Sequence, residues 1–266
     1  MTRYLSARHT GLPPEALRMF CFPFAGGGAS AYAGWQRRLG PQVQVVPVHL
    51  PGREDRLLEP RFTDLDELVQ ELDAQLGPEL DRPHLLFGHS MGALIAFSLA
   101  EYRHTRGSRL PRALLLSGYR ARHLPMPDII DRDASDDELA QVLVALGCVP
   151  RLLVDHPDWL SALMPVARDD LLLCAGPQSR AVNPLPVPLH VFAGTEDLLV
   201  APREIRSWVQ HTTEEFEMST FVGGHFFIRE QSQEFLGCVE QVTRRYAAEV
   251  GDRHGHRDRR PAGALQ

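Results

Sequence analysis

The stretch His84-Leu85-Leu86-Phe87-Gly88-His89-Ser90-Met91-Gly92-Ala93-Leu94-Ile95-Ala96-Phe97-Ser98-Leu99-Ala100 decides how the rest of the chain is read. His84 to Gly88 is a short apolar run with the length of a buried strand. From Met91 to about Arg103 the residues suit a helix. Between them lies Gly88-His89-Ser90-Met91-Gly92, a Gly-x-Ser-x-Gly pattern. Alone, that pattern arises by chance. Set between a strand and a helix, it has the context of a sharp turn that forces the serine into a strained backbone geometry. Small flanking glycines let strand and helix approach closely. The Ser90 hydroxyl would then stand above a sheet at the positive end of a helix. The plainer alternative is a glycine-rich turn with a capping serine.

Further from this centre, short apolar runs alternate with longer helical patterns, which predicts a mostly parallel sheet flanked by helices. The expected strands are 17–23, 43–49, 84–88, 113–117, 188–193 and 216–222. Thr63 with Asp66 reads as a capping box, and Leu65, Leu68, Val69, Leu72 and Leu76 form one apolar stripe behind it. Pro202 suits the first residue of a helix running to about His211. The segment from about 123 to 183 breaks the alternation. Ser135 with Glu138 marks a helix start there, Leu139, Val142, Leu143 and Leu146 repeat at helical spacing, and a second helix is expected over about 158–173. A helical insertion entering after a strand is expected to act as a lid. The expected organisation is an N-terminal extension (1–16), one domain (17–250) with the insertion, and a disordered tail (251–266) rich in Arg, Asp, Gly and His.

The 266 residues are 44% apolar and 23% charged, with a formal net charge of -6 and a sequence pI near 6.0. This length suits one globular domain with a modest insertion. The acidic balance argues against a nucleic-acid partner, which usually selects a basic face. Cys21, Cys148, Cys174 and Cys238 are far apart and form no C-x-x-C pair, so neither a zinc site nor a redox pair is indicated. The N-terminus has no apolar signal core, and no run is long and apolar enough to span a bilayer. The expectation is a cytoplasmic monomer without a membrane anchor.

A serine hydroxyl is a poor nucleophile at neutral pH and needs an adjacent base. Ser90 lies before its candidate partners, in the order Ser, acid, His. Among the later histidines His225 stands out, because Gly223-Gly224 precede it directly after an expected strand and Phe226-Phe227 follow it. His190 falls inside a strand and His211 at a helix end, positions explained structurally. The acid should lie in a loop after a strand. Gly118-Tyr119-Arg120-Ala121-Arg122 offers none, whereas Gly194-Thr195-Glu196-Asp197 offers Asp197, with Glu196 as runner-up. A turn carboxylate capping the Pro202 helix is the plainer reading of Asp197. An oxyanion hole would take one N–H from Met91, the residue after the nucleophile, and one from Ala25 in the loop Phe24-Ala25-Gly26-Gly27-Gly28. That loop also fits the opening of a dinucleotide fingerprint, Gly26-x-Gly28-x-x-Ala31. The required carboxylate is missing from the end of the next strand, Val48-His49-Leu50-Pro51-Gly52, and no phosphate-loop Lys-Ser/Thr pair occurs. This chemistry calls for no metal and no organic cofactor.

With these elements placed, the chain resembles the type II thioesterases, stand-alone editing enzymes of polyketide synthases and nonribosomal peptide synthetases. The resembling runs are Cys21-Phe22-Pro23-Phe24-Ala25-Gly26-Gly27, Leu50-Pro51-Gly52-Arg53-Glu54, Phe87 to Gly92, Gly194 to Asp197, and Gly223-Gly224-His225-Phe226-Phe227. They span about residues 17–247. The resemblance implies an α/β-hydrolase fold with a helical lid over an acyl channel, and Ser90, Asp197 and His225 as a triad. It also implies hydrolysis of acyl groups from the phosphopantetheine arm of acyl or peptidyl carrier domains. The run Ala167-Arg168-Asp169-Asp170-Leu171-Leu172-Leu173-Cys174 departs from the family's Arg-Ala-Asp-aromatic pattern, which bears on acyl-length preference. A small-molecule carboxylesterase, an acyltransferase and a non-catalytic binding module are the alternatives.

Overall fold

The computed structural model describes residues 2–6, 16–125, 134–145, 147, 149, 156–175, 181–230 and 232–255. In chain order the elements are β1 (Arg18–Phe22), α1 (Trp35–Leu39), β2 (Gln44–Pro47), α2 (Leu65–Leu80), β3 (His84–His89), α3 (Met91–Thr105) and β4 (Leu114–Ser117). Then follow α4 (Asp136–Ala145), α5 (Pro157–Cys174), β5 (Leu189–Gly194), α6 (Pro202–Arg206), β6 (Phe216–Phe221), α7 (Phe227–Glu230) and α8 (Ser232–Gly255). All six expected strands are present.

The strands form one sheet in the order β2-β1-β3-β4-β5-β6, and every pairing is parallel. Parallel sheets need both faces covered, and strands buried on both faces read as continuous apolar runs. The strands from β1 to β5 are buried along almost their whole length and largely apolar, and the edge strand β6 is only half-buried along most of its length. Side chains alternate across the sheet. Phe20, Phe22, Leu86, Leu114, Leu116 and Val191 enter a core shared with α2, α3 and Trp208. Met19, Cys21, Leu85, Phe87, Leu115 and Phe192 enter a second core with Trp35, Leu39, Phe235 and Val239 from α1 and α8. Between Met91 and Ala100 α3 is buried on every side, as befits a helix apolar all round.

Because all strands run the same way, their C-terminal ends share one edge. The chain leaves β1 toward β2 on one side and continues through β3 on the other. The order therefore reverses between β1 and β3, where Phe22 lies opposite Gly88. Ligand sites of open α/β sheets gather at this kind of switch point.

Two boundaries differ from expectation. The cap of α2 is Asp64, not Thr63: the Asp64 carboxylate accepts the Glu67 N–H at 2.9 Å. Either residue type caps well, and the helix begins one residue later than the Thr63 reading requires. At the other end, α8 continues past residue 250 to Gly255, into the segment expected to be disordered; positions 256–266 lie outside the described residues. Tyr4 and Leu5, from the stretch set apart as an extension, are buried in the first core, and the Tyr4 carbonyl accepts the His49 N–H at 2.9 Å. Of the cysteines, Cys21, Cys174 and Cys238 are free, and Cys148 lies outside the described residues.

The insertion after β4 contributes α4 and α5 and no strand among its described residues. Ser135 caps α4 as expected: its hydroxyl accepts the Glu138 N–H at 3.3 Å, and the Glu138 carboxylate accepts the Ser135 N–H at 2.8 Å. Leu139, Ala140, Leu143, Val149, Met164 and Ala167 form a small core of their own. Positions 126–133, 146, 148, 150–155 and 176–180 of the expected lid lie outside the described residues.

Candidate active site

Four loops at the C-terminal edge of the sheet carry the candidate residues. Ser90 follows β3, Ala25 follows β1, Asp197 follows β5 and His225 follows β6. Ser90 has φ 53° and ψ -123°, a positive φ rarely adopted by L-residues. The turn holds because its glycines cannot be replaced. A Cβ on Gly88 would overlap the Gly92 carbonyl, and a Cβ on Gly92 would overlap the Phe22 carbonyl oxygen of β1. The Ser90 N–H donates to Ser117 O at 2.8 Å, and its carbonyl accepts the Ala93 N–H at 2.9 Å as α3 begins. Met91 and Gly92 open α3, where helical N–H groups have no intrahelical acceptor.

Asp197 and His225 meet. His225 Nδ1–H donates to Asp197 Oδ2 at 2.8 Å, with both side chains buried. Asp197 Oδ1 accepts the Leu199 and Val200 N–H groups at 2.8 and 3.2 Å, so one carboxylate shapes its own turn and orients the imidazole. That bond commits Nδ1 to Asp197 and leaves Nε2 as the ring nitrogen free to face the serine side. Glu196, the alternative acid, is exposed, and its N–H is bonded to Gly223 O at 2.9 Å. The His225 ring centroid lies 5.0 Å from that of His89, the residue before Ser90. His89 is no rival base. Burial, reinforced by His225 and Arg229, holds its pKa well below the ordinary histidine value, and its Nδ1 is 2.9 Å from Ser117 Oγ. His190 and His211 have structural partners, Tyr246 and His123.

The loop after β1 is held more firmly than its glycines suggested. Phe24 O accepts the Gly27 N–H at 2.9 Å, which turns the chain at Ala25-Gly26, where Gly26 has φ 73°. Asp170 Oδ2, from α5, accepts the Gly26 N–H at 2.7 Å. Arg53 Nη1 donates to Gly27 O at 2.9 Å. Arg53 and Asp170 also form a buried bidentate ion pair at 2.9 and 2.8 Å. Reading the sequence missed both roles. The pair is 117 positions apart, and no local spacing announces it.

A cavity of about 510 Å³ lies beyond this loop, walled by Phe24, Ala25, Leu143, Leu163, Val166 and Ala167 among others. Its walls are predominantly apolar and come from the loop on one side and the insertion on the other. Ser90 and His225 are not in its lining, whereas Ala25 is. Among the described residues, His49, Glu54 and Asp55 bring possible metal-ligand atoms within 4.8 Å of one another. Both Glu54 oxygens already accept backbone N–H groups, from Ala29 at 2.9 Å and Ser30 at 3.0 Å. That carboxylate is thereby committed to the loop.

Known proteins similar to this chain are thioesterases and other biosynthetic proteins. The chain is 33% identical over 237 residues to thioesterase PikA5 of Streptomyces venezuelae, covering 87% of this chain and 84% of that protein. It is 36% identical over 231 residues to a Brevibacillus parabrevis protein named linear gramicidin dehydrogenase LgrE, covering 86% and 88%. That name describes a redox reaction, yet β2 has no carboxylate at its end to hold a dinucleotide ribose. The solved structure of RedJ, a thioesterase of the prodiginine pathway in Streptomyces coelicolor, superposes with a TM-score of 0.81 at 36% identity, covering 86% of this chain and 92% of RedJ. A family model described as thioesterase domain matches residues 17–246, which takes in every strand of the sheet and the insertion, and the chain therefore belongs to the thioesterase domain family.

Proposed function

We propose that Ser90, His225 and Asp197 act as a catalytic triad that hydrolyses acyl thioesters carried on the phosphopantetheine arm of acyl or peptidyl carrier domains, an editing role in polyketide or nonribosomal peptide assembly. The observation that carries this reading is the buried Asp197–His225 hydrogen bond, which sets the imidazole beside the Ser90 turn. His225 Nε2 takes the proton of Ser90 Oγ as Oγ attacks the thioester carbonyl. The Ala25 and Met91 N–H groups receive the developing oxyanion. As the tetrahedral species collapses, the C–S bond breaks and His225 passes the proton to the leaving thiol. A water then repeats the sequence on the acyl-Ser90 ester, and the carboxylic acid leaves. No step needs a metal or an organic cofactor. Among the described residues no helix is long and apolar enough to cross a membrane. The working picture is a cytoplasmic monomer that meets its substrate on a partner protein.

The test compares hydrolysis of an acyl-carrier thioester with that of the matched oxygen ester, in wild type and in Ser90→Ala. Thioester turnover in wild type with preference over the oxygen ester, lost on the order of 10⁴-fold or more in Ser90→Ala, supports the proposal. Preference for the oxygen ester favours a carboxylesterase. New ester or amide product on adding an acceptor favours an acyltransferase. Thioester turnover that survives Ser90→Ala overturns the triad.

A further inference from the structure

We propose that Arg53 and Asp170 are positioning residues of the oxyanion hole, fixing the loop that presents the Ala25 N–H through a buried ion pair anchored on α5. The inference rests on Ala25 being an oxyanion donor in the proposed reaction.

The bonds converge on two adjacent residues, Gly26 and Gly27. Asp170 Oδ2 holds the Gly26 N–H at 2.7 Å, and Arg53 Nη1 holds the Gly27 carbonyl at 2.9 Å. Phe24 O holds the Gly27 N–H from the other side. The residue before Ala25 and the two after it are therefore tied, and Ala25 is suspended between fixed points. Arg53 Nη1 also donates to Asp170 Oδ2 at 2.9 Å, and Nη2 to Oδ1 at 2.8 Å, so each group orients the other. Arg53 is 8% exposed and Asp170 2%. Charge-assisted bonds in such a dry setting are shorter and stronger than neutral ones and leave the loop little freedom. The next residue, Glu54, ties the far flank by accepting the Ala29 and Ser30 N–H groups, and it adopts φ 50° in doing so. Stability alone gives a buried ion pair no advantage over a well-packed apolar pair. What the charges supply here is a carboxylate acceptor for Gly26 and a guanidinium donor for Gly27. Asp170 also lies one turn along α5 from Val166 and Ala167, which line the cavity. The helix that walls this cavity is thus the one that sets the oxyanion loop. Its neighbour Asp169 points elsewhere and pairs with Arg61 at 2.6 Å.

The experiment measures kcat and KM for hexanoyl-N-acetylcysteamine thioester, and the inhibition constant of an alkyl trifluoromethyl ketone, whose adduct with a serine carries an oxyanion. Wild type, Asp170→Asn, the double variant Arg53→Met/Asp170→Leu and the control Asp169→Asn are compared, with thermal melts to establish folding. The double variant leaves no unpaired buried charge and carries the test should Asp170→Asn fail to fold. A fall in kcat of about 10- to 100-fold, with a parallel loss of ketone affinity and KM within about twofold, supports the inference. Asp169→Asn should stay within about twofold of wild type in kcat. Unchanged kcat in folded variants overturns it, as does a rise in KM alone, which would make Asp170 a wall of the acyl space. In both of those cases wild-type hydrolysis and its loss in Ser90→Ala still stand. A wild-type chain that cleaves no thioester overturns the proposed function, and this inference with it.

Discussion

A positive φ at a serine costs about 1–3 kcal/mol and persists only where its surroundings impose it. At Ser90 they do, because strand β3 and helix α3 meet with no room for a side chain at Gly88 or Gly92. Gly92→Ala should therefore cost at least about 1–3 kcal/mol, since the added methyl meets the backbone of β1 rather than a side chain that could rotate away. A denaturant midpoint unchanged by Gly92→Ala would contradict that account. At Asp197 the loss should be one of orientation. Asp197→Asn can still make a hydrogen bond but favours the wrong imidazole tautomer, so kcat should fall at least about 100-fold, yet less than in Ser90→Ala. Unchanged turnover in Asp197→Asn would remove Asp197 from the proposed triad. Ser90 and His225 stood out as candidates in the sequence because each lies close to glycines that a sharp turn demands. Asp170 did not. In sequence it looked like a departure in a lid helix, and its meaning exists only in the partner that folding brings to it.

At the scale of elements, the strands were legible because a parallel sheet buried on both faces leaves largely apolar runs, clear in the interiors of β1, β3 and β4 and interrupted in β5 by His190. Helix ends were less so. Thr63 and Asp64 are adjacent and chemically able to do the same job, so only geometry separates them. Asp64→Ala should destabilise by about 1 kcal/mol, whereas Thr63→Ala should stay within about 0.5 kcal/mol. Equal losses in a urea titration would show that both side chains cap. The insertion lends itself to a functional test. α4 and α5 wall the cavity with Leu143, Leu163, Val166 and Ala167, and Gly26 lies against Leu163 and Ala167, so the loop leaves this side of the cavity little slack. A buried methylene is worth about 0.8 kcal/mol, or about fourfold in kcat/KM. Acyl thioesters of increasing length should gain by up to that factor per carbon until the cavity is full. Val166→Phe should stop the gain at a shorter chain without changing the rate on acetyl substrate. A length profile identical to wild type would place the acyl chain outside this cavity.

Across the whole molecule, burying both faces of the sheet encloses histidines as well as hydrocarbon. His84 at the start of β3 is held down to about 3, His211 to about 4, and His89 well below the ordinary value, in each case chiefly because burial disfavours the imidazolium. In the unfolded chain the same rings titrate near their free value of about 6.5. Above that pH neither state binds the protons, and the fold has its full stability. As pH falls through about 6.5 the unfolded chain takes up protons that the folded chain refuses, so stability must fall. The decline from His211 should run to about 4 and that from His84 to about 3. The carboxylates of Glu59 and Glu217 are lowered from 4.5, with hydrogen bonds from Arg56 and Arg245 stabilising their charged forms. They add a loss of the same sign, but only as pH falls below that value. Between about pH 6.5 and 5 the histidines therefore dominate the slope. The urea midpoint should drop steadily over that interval and be flat from pH 7 to 8. His211→Gln, which cannot titrate, should reduce the slope whatever it does to the midpoint at pH 7. A midpoint level between pH 7 and 5, or a slope indifferent to His211→Gln, would mean that these rings gain protons while still folded.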